Sequence, residues 1–432
     1  MNLINGEYIL WQGLFDMRIY RFILFTGFLF ICGVVFGGGS NWPEFRGALS
    51  NGVSGVLDVA VEWGESENVR WKTEIHDEGH SSPVVWGDQV WVTTATKDGH
   101  KLYAVCVDKD SGRIVYDILL FEVEKTGRLN GQNTFATCSP VIEAGRVYLH
   151  FGTYGTACVD TASGEVVWRR TDLNCKHIQG PGASPVIYKN LLICHMDGYD
   201  VRYIAALDKF TGKTVWKTFR SNDIKSKGKL YQKAHNTPLI VKVDGRDQMI
   251  SSNSMACMSY DPLTGREIWK VNHEVDGTIM RPVFADGVVF ISAGDTPRKC
   301  LWAVRADGQG DVTDTNVIWK CQDGPFVSSP ILKDGLLYFV TDRGVVSCVD
   351  VKEGKRVWEH KLESGTYWSS AVCAGGRLYF NNTKGKTTVM AVGREVKVLS
   401  VNDLENGIYA SPAVVEGGLI MRTTRDLYCI GE

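Results

Sequence analysis

No two cysteines are adjacent in this sequence and no CxxC occurs, although 12 of the 432 residues are cysteine. Without CxxC pairs, neither a zinc site of the usual spacing nor a thioredoxin-type redox motif is signalled. GxSxG and HExxH are also missing, which removes the motif support for a nucleophile-elbow hydrolase or a zinc protease. Charge of one sign is lacking: 47 Lys and Arg stand against 49 Asp and Glu, a net charge of -2. A nucleic-acid binder needs a basic surface to displace counterions from phosphate, so none is expected as a partner. There is no convincing amphipathic helical period and no long linker. Glycine (46) and tryptophan (13) are plentiful, which points to many tight turns and a recurring aromatic position.

Arg18 and Arg21 precede an apolar run from Phe22 to Phe36, followed by three glycines and Ser40. A basic head, a short apolar run and a small-residue exit are the parts of an export signal. A membrane-spanning helix needs about 20 residues. Residues 1–40 are therefore expected to be a signal peptide, with Met17 a possible true start. Left uncleaved, this segment would be the only tie to a membrane. Ile31 before Cys32 is too large for a lipobox. Removing Cys32 leaves eleven cysteines, an odd number that cannot pair completely within one chain. Cys106, Cys158, Cys348 and Cys429 share one repeat position inside apolar runs, which suits small buried residues.

A motif recurs along the chain: Asp, three residues, Gly, three residues, aromatic. Copies run Asp108–Tyr116, Asp160–Trp168, Asp208–Trp216, Asp261–Trp269 and Asp350–Trp358, with a stretched copy from Asp307 to Trp319. Asp accepts amide bonds in the turn and Gly supplies positive φ, so each copy is a β-hairpin with an aromatic anchor. Val and Ile of its second strand are expected to face inward with the aromatic. Upstream of each hairpin lies a second element: a small residue and Pro, an apolar run, a turn, another apolar run. Eight starts run from Ser82-Pro83 to Ser411-Pro412, about 47 residues apart. Four short strands at that period give an all-β, eight-bladed β-propeller. The last copy has room for three strands. Residues 68–72, with Trp71 in the aromatic slot, read as the missing outer strand that closes the ring. Residues 41–66 are then an N-terminal segment packing on the propeller, and 67–432 form one domain.

The pattern [AC]-x-D-x-x-[TS]-G-x-x-x-W resembles the tryptophan-docking repeat of pyrroloquinoline quinone (PQQ) propellers, in which Gly stacks beneath a neighbouring blade's Trp. The docking positions would be Trp71, Tyr116, Trp168, Trp216, Trp269, Trp319 and Trp358. Asn41-Trp42-Pro43-Glu44-Phe45-Arg46-Gly47, GHSSPVVWGDQV and RTTRDLYCIG are similar to a bacterial family of exported PQQ-like propellers related to BamB, of the outer-membrane β-barrel assembly machinery. The resemblance covers the chain from about Asn41 onward. It implies a scaffold without cofactor, or a PQQ- and calcium-dependent alcohol or sugar dehydrogenase. The dehydrogenases stack PQQ against a vicinal disulfide, which this sequence cannot form.

Residues just before each inner strand should ring one mouth of the axial channel. Candidate ligand contacts there are His80, Ser81, Asn133, Thr134, His235, Asn236, Arg281, Ser328, Trp368 and Ser369. No catalytic or metal-binding residue is expected. His80 and His235 lack a carboxylate in the same ring, and Asp307, Asp311 and Asp314 read as a solvated turn. The sequence reading is an exported, monomeric binding or scaffold module of the cell envelope. Its partner would be a protein, peptide or polysaccharide.

Overall fold

The computed structural model describes residues 41–225, 228–274, 278–295 and 298–431. The expected signal segment lies outside them. Eight antiparallel sheets form the blades of a propeller. Each runs in sequence order from an inner strand such as Val84–Trp86 to an outer strand such as Ile114–Glu122. The eighth is the exception. Its inner three strands, Ala413–Val415, Gly418–Arg422 and Asp426–Ile430, are completed by Val69–Glu74 from the start of the domain. The ring is closed by the N-terminal strand as the repeat arithmetic requires, which gives the eighth blade its fourth strand.

The stretched repeat departs from plain four-stranded form. Its extra residues let Gly310–Asp311 pair parallel with the outer strand Glu267–Asn272 of the preceding blade. Asn272 Nδ2 donates to Asp311 Oδ2 at 2.8 Å.

Blade junctions use the docking residues. The Trp71, Trp168, Trp319 and Trp358 indole N–H groups donate to Lys109 O, Lys209 O, Val351 O and Gly393 O of the next blade, at 2.7–3.1 Å. Trp216 reaches Pro262 O, Trp269 reaches Ala306 O, and the Tyr116 hydroxyl reaches Ala162 O. A Cβ on Gly112 or Gly212 would come within 2.7–2.8 Å of the neighbouring Trp ring, and both have φ above 70°. Only glycine meets both demands. In the seventh blade Ser400 occupies the aromatic slot. That junction is sealed by the N-terminal segment: Ser400 and Asn402 donate to Val61 O, and Trp63 is buried there.

One expectation fails at the rim. Val115, Val167 and Val215 face solvent (43–55% exposed), because the outer strand has no sheet beyond it. Trp216 is half-buried, whereas Trp269 is fully buried. Trp216→Ala should therefore cost less than the about 3–5 kcal/mol of a fully buried Trp. Urea unfolding measures this, and a loss as large as that of Trp269→Ala would contradict the half-buried docking.

Candidate functional site: the axial cavity

The Ser-Pro elements form a belt around the axis. The Ser82 amide donates to Ser139 Oγ at 2.9 Å, Ser139 to Ser184 at 2.9 Å and Ser184 to Thr237 at 3.1 Å. On the other side Arg281 donates to Ser329 at 3.0 Å, Ser329 to Ser370 at 2.9 Å, Ser370 to Ser411 at 2.8 Å and Ser411 back to Ser82 at 3.0 Å. Each hydroxyl accepts the amide of the neighbouring blade, which explains a small hydroxyl residue at this position. The belt is interrupted between Thr237 and Arg281, the one copy without a hydroxyl residue. Ser139→Ala would leave the buried Ser82 amide unpaired. The expected loss is about 1–3 kcal/mol, read as a fall in melting temperature. No change would mean that the belt contributes nothing.

Arg281 is large because it is a plug. Its Nη1 meets Glu44 Oε1 at 2.9 Å and Phe45 O at 2.5 Å, and its Nε donates to Pro238 O at 3.0 Å. Arg46 reaches Ser329 O at 3.0 Å and also Pro330 O. Burial and the nearby Arg281 lower the Arg46 pKa to about 9. Residues 42–46 thus stopper one end of the axis, and Phe45 lines the floor of the cavity above it.

The cavity is partly open, about 350 Å³, and lies inside the serine belt. At its mouth His80 stacks on Tyr409 with ring centres 4.2 Å apart and 6° between planes. Trp368 meets Tyr409 at 5.7 Å and 58°. Asn130, Gln132, Asn133 and Gln179 supply amides, and Phe326 and Asp342 complete the wall. Asp342 Oδ1 is buried without a hydrogen-bond partner. Burial raises the Asp342 pKa, against the opposing charge of Lys299. Burial, and then Arg422, lowers His80 to about 3. Burial, with Lys233 and His177 nearby, holds His235 well below its ordinary value. Both imidazoles are neutral at pH 7.

Of the residues predicted for the mouth, His80, Asn133, His235 and Trp368 line this cavity. Asn133 is largely occupied: it donates to Gln179 O and Pro181 O and accepts from the Thr134 amide and the Thr137 hydroxyl. The other six are set back. Ser81 receives Arg422 Nη1 at 2.7 Å, Thr134 pairs with Thr137, and Asn236 donates to Met280 O. Ser369 accepts from Asn381, Ser328 is 1% exposed, and Arg281 is in the plug. The reason is register. Neighbouring residues point to opposite sides of extended backbone, so the hydroxyl of the Ser-Pro itself faces the cavity and its predecessor faces the blade. Gln179, Phe326, Asp342 and Phe45 were not predicted. Asp342 sits in the turn between the second and third strands of its blade, and antiparallel pairing returns that turn to the mouth side.

No group of three or more His, Cys, Asp or Glu placed to hold a metal occurs among the described residues. Ten of the eleven cysteines there are buried, and Cys300 is half-buried.

Eight blades around a plugged axis, seven of their junctions made by aromatic docking and the eighth by the N-terminal segment, define a PQQ-repeat β-propeller. The chain belongs to the family whose profile is described as outer membrane protein assembly factor BamB, matched over residues 55–176, 124–360 and 253–396. Among solved structures it is similar to a europium-containing methanol dehydrogenase (13% identity, 86% of this chain and 87% of that one, TM-score 0.65). It is also similar to BamB from Moraxella catarrhalis (11%, 84% and 99%, TM-score 0.57). A third similar structure is the quinohemoprotein alcohol dehydrogenase from Comamonas testosteroni (11%, 91% and 81%, TM-score 0.64). At these identities the likeness is one of fold. No curated protein matches the sequence significantly.

Proposed function

We propose that this protein is a non-catalytic, exported binding propeller of the cell envelope. It presents the axial mouth to a protein, peptide or glycan partner and works as a monomer. The observation that carries the reading is the cavity itself: stoppered at one end, walled by aromatic rings and amides, and open at the other. Concave, mostly apolar sites with a few convergent polar groups are where ligands bind. The export signal expected in residues 1–40 and the family's description support an envelope location.

The dehydrogenase reading has the fold likeness in its favour. The lining residues do not fit its cofactors. Calcium takes six to eight oxygen ligands, commonly from several carboxylates, and Asp342 is the one carboxylate among the described lining residues. No adjacent cysteines exist to stack on PQQ.

A photo-crosslinking residue tests the mouth in living cells. At Gln132, exposed at the rim of the cavity, it should trap a discrete envelope species. At Lys213, on an outer-edge turn, it should not. Equal trapping at both positions, or none at Gln132, would contradict the proposal.

A further inference from the structure

We infer that the cavity takes the neutral terminal sugar of a glycan, its ring laid against Trp368 and its hydroxyls bonded to Asp342 and the serine belt. The inference rests on the binding-module reading and names its ligand class. Four observations on the wall converge.

First, at about 350 Å³ the cavity is at the small end of ligand sites and admits a short ligand, not a folded partner. Second, the described lining has no Lys or Arg, and both histidines are neutral. The nearby Lys233, Lys299 and Arg422 engage Gln179, Phe326 and Ser81 and are not part of the lining, which itself offers a phosphate or a polycarboxylate no cation. Third, the buried, unpartnered Oδ1 of Asp342 calls for a donor. An unsatisfied buried acceptor is costly, and because Asp342 lines the cavity, turning its carboxyl toward a ligand hydroxyl there would relieve it. Fourth, Ser82, Ser139, Ser184, Ser370 and Ser411 each use their oxygen to accept an amide. A hydroxyl also carries a donor, so each retains an O–H for a ligand oxygen. Sugar hydroxyls both donate and accept, which matches a wall that offers both. The half-exposed Trp368, held at 58° against Tyr409, supplies the flat apolar face that a pyranose ring covers.

The test uses the purified exported chain, titrated with maltotriose, cellotriose and N-acetylglucosamine trimer, followed by tryptophan fluorescence and calorimetry. At least one should saturate at a Kd of about 1 mM or tighter. Trp368→Ala and Asp342→Asn should each weaken it about tenfold or more. Trp368→Phe keeps the stacking face and should retain most of the affinity, which separates loss of the site from loss of fold. Saturation by none of the three, or unchanged affinity in Asp342→Asn, would overturn the inference. Trapping at Gln132 without saccharide binding would do so while leaving the binding-module reading intact.

Discussion

Asp197→Ala is expected to cost about 3–5 kcal/mol, a large share of what a domain has to lose. Asp197 and Arg220 form a bidentate pair, Nε to Oδ1 at 3.0 Å and Nη2 to Oδ2 at 2.7 Å, with side chains 1% and 0% exposed. Arg220 Nη1 continues to Ser251 Oγ at 2.6 Å and Tyr260 Oη at 3.3 Å in the next blade. The pair and its hydrogen bonds hold the Arg220 pKa above its usual value despite burial. Removing Asp197 strands a buried guanidinium between two blades. The cost is that of an uncompensated charge, so replacing both partners with apolar residues of similar volume should recover much of the loss. Urea unfolding of the single and double variants checks this. An Asp197→Ala protein as stable as the parent would show the pair to be solvated. The same network disposes of an apparent serine–histidine couple. Ser251 Oγ lies 2.9 Å from His195 Nε2, and Arg220 Nη2 faces His195 Nδ1 at 3.5 Å. An arginine has protons only to donate, so Nδ1 accepts, Nε2 carries the proton, and His195 cannot take one from Ser251.

Acid should unfold this protein well above the range of its carboxylates. Burial lowers His150 and His273 to about 3, and the neighbouring His177 adds to the shift at His150. Burial also drives His195 and His235 well below their ordinary value. In the unfolded chain each imidazole takes a proton near pH 6.5. The folded state stays deprotonated and so binds fewer protons. Stability is therefore full above pH 6.5 and falls as the pH drops. At pH 5 each such histidine costs about 2 kcal/mol. His76 works the other way. Burial would lower it, but its bonds to Asp77 and Asp117 raise its pKa, so its contribution is present at low pH and lost as pH rises. It is one partly exposed group against several buried ones. Melting temperature should fall steadily between pH 7 and pH 5, with a shallower slope in His150→Gln. A flat profile would show that these histidines are protonated in the folded state.

The fold was legible because the repeat states it more than once. The eight Ser-Pro starts were enough for the blade number and the Trp71 strand for the closure, since the docking repeat demands one geometry wherever it recurs; the seventh junction, with Ser400 in the aromatic slot, gave no such signal. The axial site was read one residue out of register. Ser81, Asn236, Ser328 and Ser369 precede the belt, and alternation along the backbone turns them into the blades. Arg281 looked like a ligand contact because of its size. Its partner, Glu44, lies 237 residues away in sequence, and only the folded ring brings them together. Asp342 and Gln179 come from turns whose shared face follows from antiparallel pairing, not from any motif. The rim valines were assigned inward by period, but an outer strand has no neighbouring sheet to bury them.

The central claim is that the axial cavity binds its ligand without PQQ. Calorimetric titration of the purified protein with PQQ, with and without calcium, tests it most directly. The account predicts no saturable heat in either condition. Calcium-dependent binding at micromolar affinity or tighter would contradict it.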